Sequence, residues 1–147
     1  MHFSNLFSSF ASLPNRYGLY ERATQFAAEL STAGFTVHND VVFNQVVVSL
    51  RLPPVTVTAA DDGDGSGSSS SADIDILGDA EDEATMRLLA QVQASGECWV
   101  GSSVWFGRKV IRVSVCSWVT SAEDVSRSVR AFAAAKAAVS ASVSVSA

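Results

Sequence analysis

Arg112 is the residue whose type and position most strongly suggest binding chemistry. It lies within the sequence KVIRVSV, residues 109–115, which is rich in β-branched residues. Side chains alternate along a strand, so Ile111, Val113 and Val115 share one face while Arg112 lies on the opposite face with its neighbours Val110 and Ser114. Two interpretations are open. Arg112 is either a solvated strand residue or a planar set of N–H donors that binds a carboxylate through two parallel hydrogen bonds.

No other combination of residues predicts a catalytic centre. The histidines His2 and His38 are isolated, and a histidine beside Asn39 is typical of a turn or strand end. The sequence contains no Gly-x-Ser-x-Gly motif, no phosphate-binding Gly-Lys-Ser/Thr loop and no cluster of His and Cys. The two cysteines, Cys98 and Cys116, give neither a disulfide framework nor zinc spacing. They are expected to be small buried hydrophobic residues of a protein in a reducing compartment, the cytoplasm.

Length and composition indicate one globular domain outside the membrane. The chain has 147 residues, of which 48% are hydrophobic and 17% charged. Its longest aliphatic run, Val46 to Val48, is far shorter than the roughly 20 apolar residues that a spanning helix needs. The net charge of −5 comes from one segment, since nine acidic and no basic residues lie between Asp61 and Glu83. This acidity argues against nucleic acid as a partner.

Alternating helical and strand patterns predict an α+β fold. Apolar residues spaced by about 3.6 positions predict helices over residues 19–33 and 79–96, and a third helix after a capping box of Thr120 and Glu123. Runs of β-branched residues predict strands over residues 35–38, 41–52, 97–100 and 109–117, with residues 101–108 as a connection. The sequence therefore predicts a small antiparallel sheet with helices packed on one face.

Three segments are expected to lie outside this domain, which then spans residues 16–136. Residues 1–15 are an N-terminal segment, either a truncated linker or a weak organellar presequence. Residues 58–78 are rich in Gly, Ser and Asp and cannot bury enough apolar surface to offset the entropy of ordering, so a flexible acidic insertion is predicted. Residues 137–147 alternate Val and Ser, and this low-complexity tail is expected to fray rather than add a strand.

Two separated segments resemble the small C-terminal domain of pyridoxal-phosphate-dependent group II amino-acid decarboxylases. The first, GFTVHNDVVFNQVVV at residues 34–48, is similar to the strand pair that opens that domain. The second combines GECWVGSSVWFGR at residues 96–108 with IRVSVCSWVT at residues 111–120 and EDV at residues 123–125, and is similar to its ending. The resemblance covers about residues 16–135, apart from the acidic insertion.

The resemblance implies a carboxy-lyase of fold type I, similar to the glutamate, aspartate and aromatic amino-acid decarboxylases. Such enzymes are homodimers that use pyridoxal phosphate to decarboxylate an amino-acid substrate. In the family, the arginine of the matching strand binds the substrate's α-carboxylate, and the matching residue here is Arg112. The large domain that carries the Schiff-base lysine precedes the matched region, and neither Lys109 nor Lys136 stands in its motif. Covalent binding of the cofactor to this chain is therefore not expected.

Three functions remain open on this basis. The chain is the C-terminal portion of a decarboxylase, whether as a fragment, a truncated gene product or an incomplete gene assignment. In that case it contributes carboxylate binding and closure of the site, lacks the large cofactor domain and is inactive alone. Alternatively, it is a non-catalytic, stand-alone α+β module that binds a partner through the sheet face around Val110, Arg112 and Ser114. The third possibility, a small stand-alone enzyme, has no visible nucleophile and base.

Overall fold

A computed structural model describes residues 14–52 and 71–145, with side chains over residues 18–52 and 77–141. These residues form three helices and four strands: α1 (Pro14–Thr32), β1 (Thr36–Val37), β2 (Gln45–Ser49), α2 (Ser71–Ser95), β3 (Gly101–Trp105), β4 (Arg108–Ser114) and α3 (Ala122–Val145). None of the described helices is long and apolar enough to cross a membrane.

The four strands form one antiparallel sheet in the order β1-β2-β4-β3. The three helices pack on one face of this sheet, which confirms the predicted α+β arrangement. Strand β4 is central, because β2 pairs with one of its edges and β3 with the other. Arg112, the fifth of its seven residues, lies opposite Val47 on β2 and Gly101 on β3.

The core lies between the helices and the sheet face that they cover. Side chains at most 5% exposed come from every helix and from both central strands: Phe26, Leu30, Leu88, Val92, Val46, Val48, Ile111, Val113 and Phe132. Phe132 on α3 packs edge-to-face against Phe35, with 5.7 Å between ring centroids. The alternation predicted for β4 is confirmed, because Ile111 and Val113 are in the core while Arg112 is exposed.

Helix α1 ends where the sequence predicts. Gly34 has a positive φ of 80°, a conformation that glycine adopts without steric cost, and the Phe35 amide donates to the Leu30 carbonyl. The Lys136 ammonium, from α3, donates to the carbonyls of Ala33 (3.1 Å) and Gly34 (2.9 Å). A cation at the carbonyl end of a helix also stabilises the helix, because it interacts favourably with the helix dipole. These contacts attach the end of α1 to α3.

The third strand lies further along the chain than predicted. Residues 97–100 are not a strand, and β3 consists of residues that were expected to form the connection. Phe106 and Gly107, with φ values of 46° and 80°, make the two-residue turn into β4. Two consecutive positive φ angles match the twist of a tight hairpin. Because β3 is an edge strand, its small Gly and Ser residues need not fill a core.

The segment boundaries of the two later helices also differ from the predictions. Helix α2 begins at Ser71, so residues 71–78 are helical and do not belong to the expected flexible insertion, whereas residues 58–70 lie outside the described part. Helix α3 continues to Val145, and Val139 is only 4% exposed. The expected frayed tail at residues 137–147 is therefore wrong over most of its length. Residues 1–13 of the expected N-terminal segment lie outside the described residues.

The capping box of α3 lies one residue later than predicted. The Asp124 amide donates to Ser121 Oγ (3.1 Å), and the Ser121 amide donates to Asp124 Oδ2 (2.9 Å). Thr120 and Glu123 have the same three-residue separation, which is why the pattern fits both registers. The hydrogen bonds from Ser121, mainly that from its backbone, lower the pKa of Asp124.

Candidate functional site

The candidate site lies on the sheet face opposite the helices, which we call the outer face. Alternation along the strands places several residues around Arg112 on the outer face: His38, Val47, Ser49, Gly101, Ser103, Arg108, Val110 and Ser114. Two of them, Val47 and Val110, are at most 8% exposed although they lie outside the core cluster. The outer face thus has an apolar floor, from which the longer polar side chains extend.

Arg112 lies on this face between β2 and β3, and its guanidinium has no partner in the described part of the chain. The residue is exposed, and no described residue forms a hydrogen bond or an ion pair with its guanidinium. On the β3 side its neighbour is Gly101, where even an added Cβ would meet no atom within 4 Å. On the β2 side its neighbour is the short, buried Val47. Both neighbours leave room for a ligand beside the five N–H donors of the arginine.

Alternation assigns Arg108, four residues earlier on β4, to the outer face, but two of its nitrogen atoms bind residues of helix α2. Its Nε donates to Asp82 Oδ1 at 2.9 Å, its Nη2 is 3.6 Å from Glu81, and the same Nη2 donates to the Gly78 carbonyl. The other oxygen of Asp82 accepts the backbone amide of Lys109 at 3.1 Å. Arg108 thus attaches the beginning of β4 to α2, which is a structural role.

His38 and Ser49 form a polar pair on the other side of Val47. His38 Nε2 is 2.8 Å from Ser49 Oγ, and the His38 amide donates to the Val47 carbonyl. Partial burial, and secondarily the charge of Arg108, lower the pKa of His38. The imidazole is therefore neutral at neutral pH. In the sequence His38 is isolated, and only the strand pairing brings it to Ser49.

The β1–β2 connection is held by one side chain. Asn39 Oδ1 accepts the Val47 amide at 2.7 Å, and Asn39 Nδ2 donates to the Gln45 carbonyl at 3.1 Å. These two bonds replace strand pairing around the turn. The strand predicted over residues 41–52 is correspondingly shorter in the structure, because only Gln45–Ser49 is a strand.

The two lysines do not fit a covalently bound cofactor. Lys136 Nζ already donates to the two carbonyls at the end of α1 and lies 5.1 Å from the centre of the Phe35 ring. Lys109 is exposed to solvent at the beginning of β4, where an imine would not be protected from water. Among the described residues, no group of His, Cys, Asp and Glu could hold a metal ion.

The cysteines line a depression of about 290 Å³ between the end of β4 and the beginning of α3, which Arg112 does not line. Cys98 is half-buried and Cys116 is exposed, so the expectation of two buried thiols is wrong for Cys116. Burial raises the pKa of the Cys98 thiol, and Glu97 raises it further against an opposing hydrogen bond with Ser128. A thiol with a raised pKa is a poor nucleophile at neutral pH.

Comparison with known proteins gives structural relatives only. No protein-family model matches the chain, and no curated protein matches it. The structure of Oryza sativa TDC with PLP and tryptamine is similar over 84% of this chain, with a TM-score of 0.61 and 19% identity. Catharanthus roseus tryptophan decarboxylase in complex with L-tryptophan is similar over 85%, with a TM-score of 0.61 and 15% identity.

A third relative extends the same comparison. Rhodiola rosea 4-hydroxyphenylacetaldehyde synthase is similar over 83% of this chain, with a TM-score of 0.61 and 17% identity. In all three cases this chain spans 22% of the other chain's length. The resemblance to amino-acid decarboxylases that the two sequence segments suggested is thus confirmed at the level of the fold: the chain has the α+β fold of a part of these proteins.

Proposed function

We propose that the chain is the small C-terminal domain of a pyridoxal-phosphate-dependent amino-acid decarboxylase, in which Arg112 binds the substrate's α-carboxylate. The observation that carries this proposal is the exposed guanidinium of Arg112 on the outer face, which has no hydrogen-bond or ion-pair partner among the described residues. The resemblance of residues 111–120 to the family motif implies the same role for Arg112 and supports the proposal. The fold shared with a part of tryptophan decarboxylase supports the same assignment.

The charges of the outer face suit an anionic ligand. The positive charge of Arg108 is offset by Asp82 and Glu81, while Arg112 has no acidic partner among the described residues. His38, with its lowered pKa, adds no second positive charge at neutral pH. When another domain covers this face and excludes water, the attraction between one guanidinium and one carboxylate becomes stronger. Closure of the site over Arg112 would therefore favour the bound substrate.

The cofactor belongs to the part of the enzyme that this sequence does not contain. Pyridoxal phosphate supplies the electron sink for decarboxylation when it is bound. Neither lysine described above fits a Schiff base, so the chain alone is expected to be inactive. The complete enzyme would combine this domain with a large cofactor domain in a homodimer, as the resemblance implies, and the cysteine usage favours the cytoplasm as its compartment.

The test requires the complete reading frame, which sequencing of the transcript upstream of Met1 would supply. In the complete enzyme, we expect Arg112→Met to lower kcat/KM by at least roughly 100-fold, because a charge-assisted, two-bond contact to the substrate is lost. The cofactor absorption should be unchanged, because Arg112 does not hold the cofactor. Arg112→Lys keeps the positive charge but not the planar pair of N–H donors, so it should recover only part of the lost kcat/KM.

Arg108→Met is the matched control, since it removes an arginine from the same strand and face. It should reduce stability while leaving kcat/KM within a few fold of the wild type. Unchanged kinetics in Arg112→Met would contradict the proposal and leave this arginine as a solvated strand residue.

A non-catalytic interaction module is the second candidate. The observation that favours it is a group of large apolar side chains exposed at one end of the sheet, including Trp99 (79% exposed) and Trp118 (74%). An in-frame stop codon directly upstream of Met1 would support this candidate over the decarboxylase. So would a complete reading frame without a cofactor lysine.

A further inference from the structure

The depression that the two cysteines line has the size of a small-molecule site. Its volume is about 290 Å³, and we call it the α3 depression because it lies beside the beginning of α3. For comparison, an apolar cavity of about 150 Å³ holds one benzene ring. The α3 depression thus has room for an aromatic ring that carries a short polar chain.

The floor of the α3 depression is apolar. Phe26 comes from α1, Val113 lies in β4, and Val115 follows that strand directly. All three side chains are at most 5% exposed and belong to the core. Ser117 and Thr120 add hydroxyl groups to the lining. Apolar walls with a small number of polar groups are typical of ligand sites.

The charged residues that line the α3 depression are both acidic. They are Glu97 and Asp124, and no lysine or arginine is among the described residues that line it. Arg127, which does not line it, forms ion pairs with Glu97 at 2.8 Å and with Asp124 at 3.0 Å. Two carboxylates and one guanidinium leave one negative charge, so the lining favours a cationic ligand.

The pKa values of two groups in the lining agree with this negative charge. Burial is the main cause of the raised pKa of the Cys98 thiol, and the charge of Glu97 raises it further even though Arg127 pairs with that carboxylate. The hydrogen bonds from Ser121, mainly that from its backbone, lower the pKa of Asp124. Asp124 is therefore charged at neutral pH.

Trp99 adds an aromatic wall that the fold does not use. Its side chain lines the α3 depression and is 79% exposed. It belongs neither to the core cluster nor to the edge-to-face ring pairs of the described residues. The face of a tryptophan ring attracts an ammonium group. Trp99 can therefore contact a cation that the two carboxylates also attract.

We propose that the α3 depression binds a small organic cation, namely a protonated primary amine attached to an aromatic ring. The ring of the ligand would lie on the apolar floor, and its ammonium would lie between Trp99 and the carboxylates of Glu97 and Asp124. The inference rests on this depression alone. Arg112 does not line it, so this proposal and that for Arg112 can fail independently.

NMR titration of the full 147-residue chain tests the site with three ligands that share one ring. 2-Phenylethylamine is the cationic probe, 2-phenylethanol is neutral and 3-phenylpropionate is anionic. The amine should shift the indole N–H signal of Trp99 far more than that of Trp105, at the other end of β3, with a dissociation constant of about 1 mM or lower. The alcohol should bind at least roughly fivefold more weakly, and the anion more weakly still.

Substitutions of the charged residues test which of them act on the amine. Glu97→Gln and Asp124→Asn should each raise its dissociation constant about fivefold, because each removes one negative charge with little change of shape. Asparagine can still cap α3. Glu123→Gln is the matched control, since Glu123 is next to Asp124 but does not line the depression, and the dissociation constant should stay within about twofold. Arg127→Gln should lower it, because both carboxylates lose their cation.

Two outcomes of the ligand titrations would overturn the proposal. One is a Trp99 signal that does not move at about 10 mM amine, which would mean that the depression binds no amine. The other is equal binding of 2-phenylethanol, which would mean that the charge of the lining has no part in recognition. Among the variants, a loss of affinity in Glu123→Gln as large as that in Asp124→Asn would overturn it as well.

Discussion

The two faces of the sheet are built from neighbouring residues of the same strands, yet they are used differently. On the inner face of β4, Ile111 is fully buried and contributes to a core that three helices cover. On the outer face the next residue, Arg112, extends from an apolar floor and has no described partner. The inner face thus specifies the fold, while the outer face can carry binding residues at little cost in stability.

The outer face itself contains a second contrast. Arg108 and Arg112 are identical residues four positions apart, but Arg108 is held by Asp82, Glu81 and the Gly78 carbonyl. Helix α2 supplies all three of these partners near the beginning of β4, and it supplies none to the middle of the strand. The position along the strand, rather than the residue type, thus separates a structural arginine from one available to a ligand.

The largest expected difference is between substitutions at adjacent residues of β4. Ile111→Ala should lower the free energy of unfolding by about 3 kcal/mol, because it leaves a cavity in a packed core. Arg112→Met should change it by less than about 0.5 kcal/mol, since an exposed, unpaired side chain is replaced. Urea denaturation of both variants measures the difference. Similar losses in the two variants would mean that the outer face also determines stability.

A smaller effect is expected when the two arginines are compared. Arg108→Met should cost about 1 kcal/mol of unfolding free energy, because its ion pairs are partly exposed to solvent. The loss should shrink in high salt, which already screens the pairs in the wild type. A double-mutant cycle with Asp82→Asn would isolate the pair's own contribution. If Arg112→Met were as destabilising as Arg108→Met and equally sensitive to salt, the two arginines would have the same structural role.

Sequence alone could identify Arg112 but not its surroundings. Period-two alternation around Ile111 is a local signal, and it assigns the arginine to the outer face without any knowledge of the fold. The His38–Ser49 contact depends on how β1 pairs with β2, and the contacts of Arg108 depend on how α2 packs against β4. Both are non-local facts that a pattern of residue types does not contain.

The predicted bounds of β3 and α3 are wrong because their residue composition is typical of other structures. Gly and Ser in β3 resemble a loop, but an edge strand does not need bulky side chains. The Val and Ser alternation after Ala137 resembles a strand or a frayed tail, yet Val139 is buried as part of α3. Packing against the other helices overrides the low helix propensity of these residues. The apolar spacing of α1 predicts its end to within one residue, whereas its beginning, Pro14, lies five residues before the predicted one and places residues 14 and 15 of the expected N-terminal segment in the helix.

The smallest expected effect uses His38 to distinguish the two arginines. Burial is the main cause of its lowered pKa, and the charge of Arg108, not that of Arg112, is the second. We therefore expect Arg108→Met to raise the pKa of His38 part of the way towards its ordinary value of 6.5, whereas Arg112→Met leaves it unchanged. NMR titration of the imidazole, assigned with His38→Gln, measures both.

The same shift has a consequence for stability. Because the folded-state pKa lies below the ordinary value of 6.5, the unfolded chain takes up the proton first as the pH falls. His38 therefore makes the folded state less stable as the pH drops through 6.5, and this contribution should disappear in His38→Gln. It should be smaller in Arg108→Met and unaltered in Arg112→Met. If Arg112→Met moved the titration instead, its charge would act on the His38 side of the face, and the separation of the two arginines would be wrong.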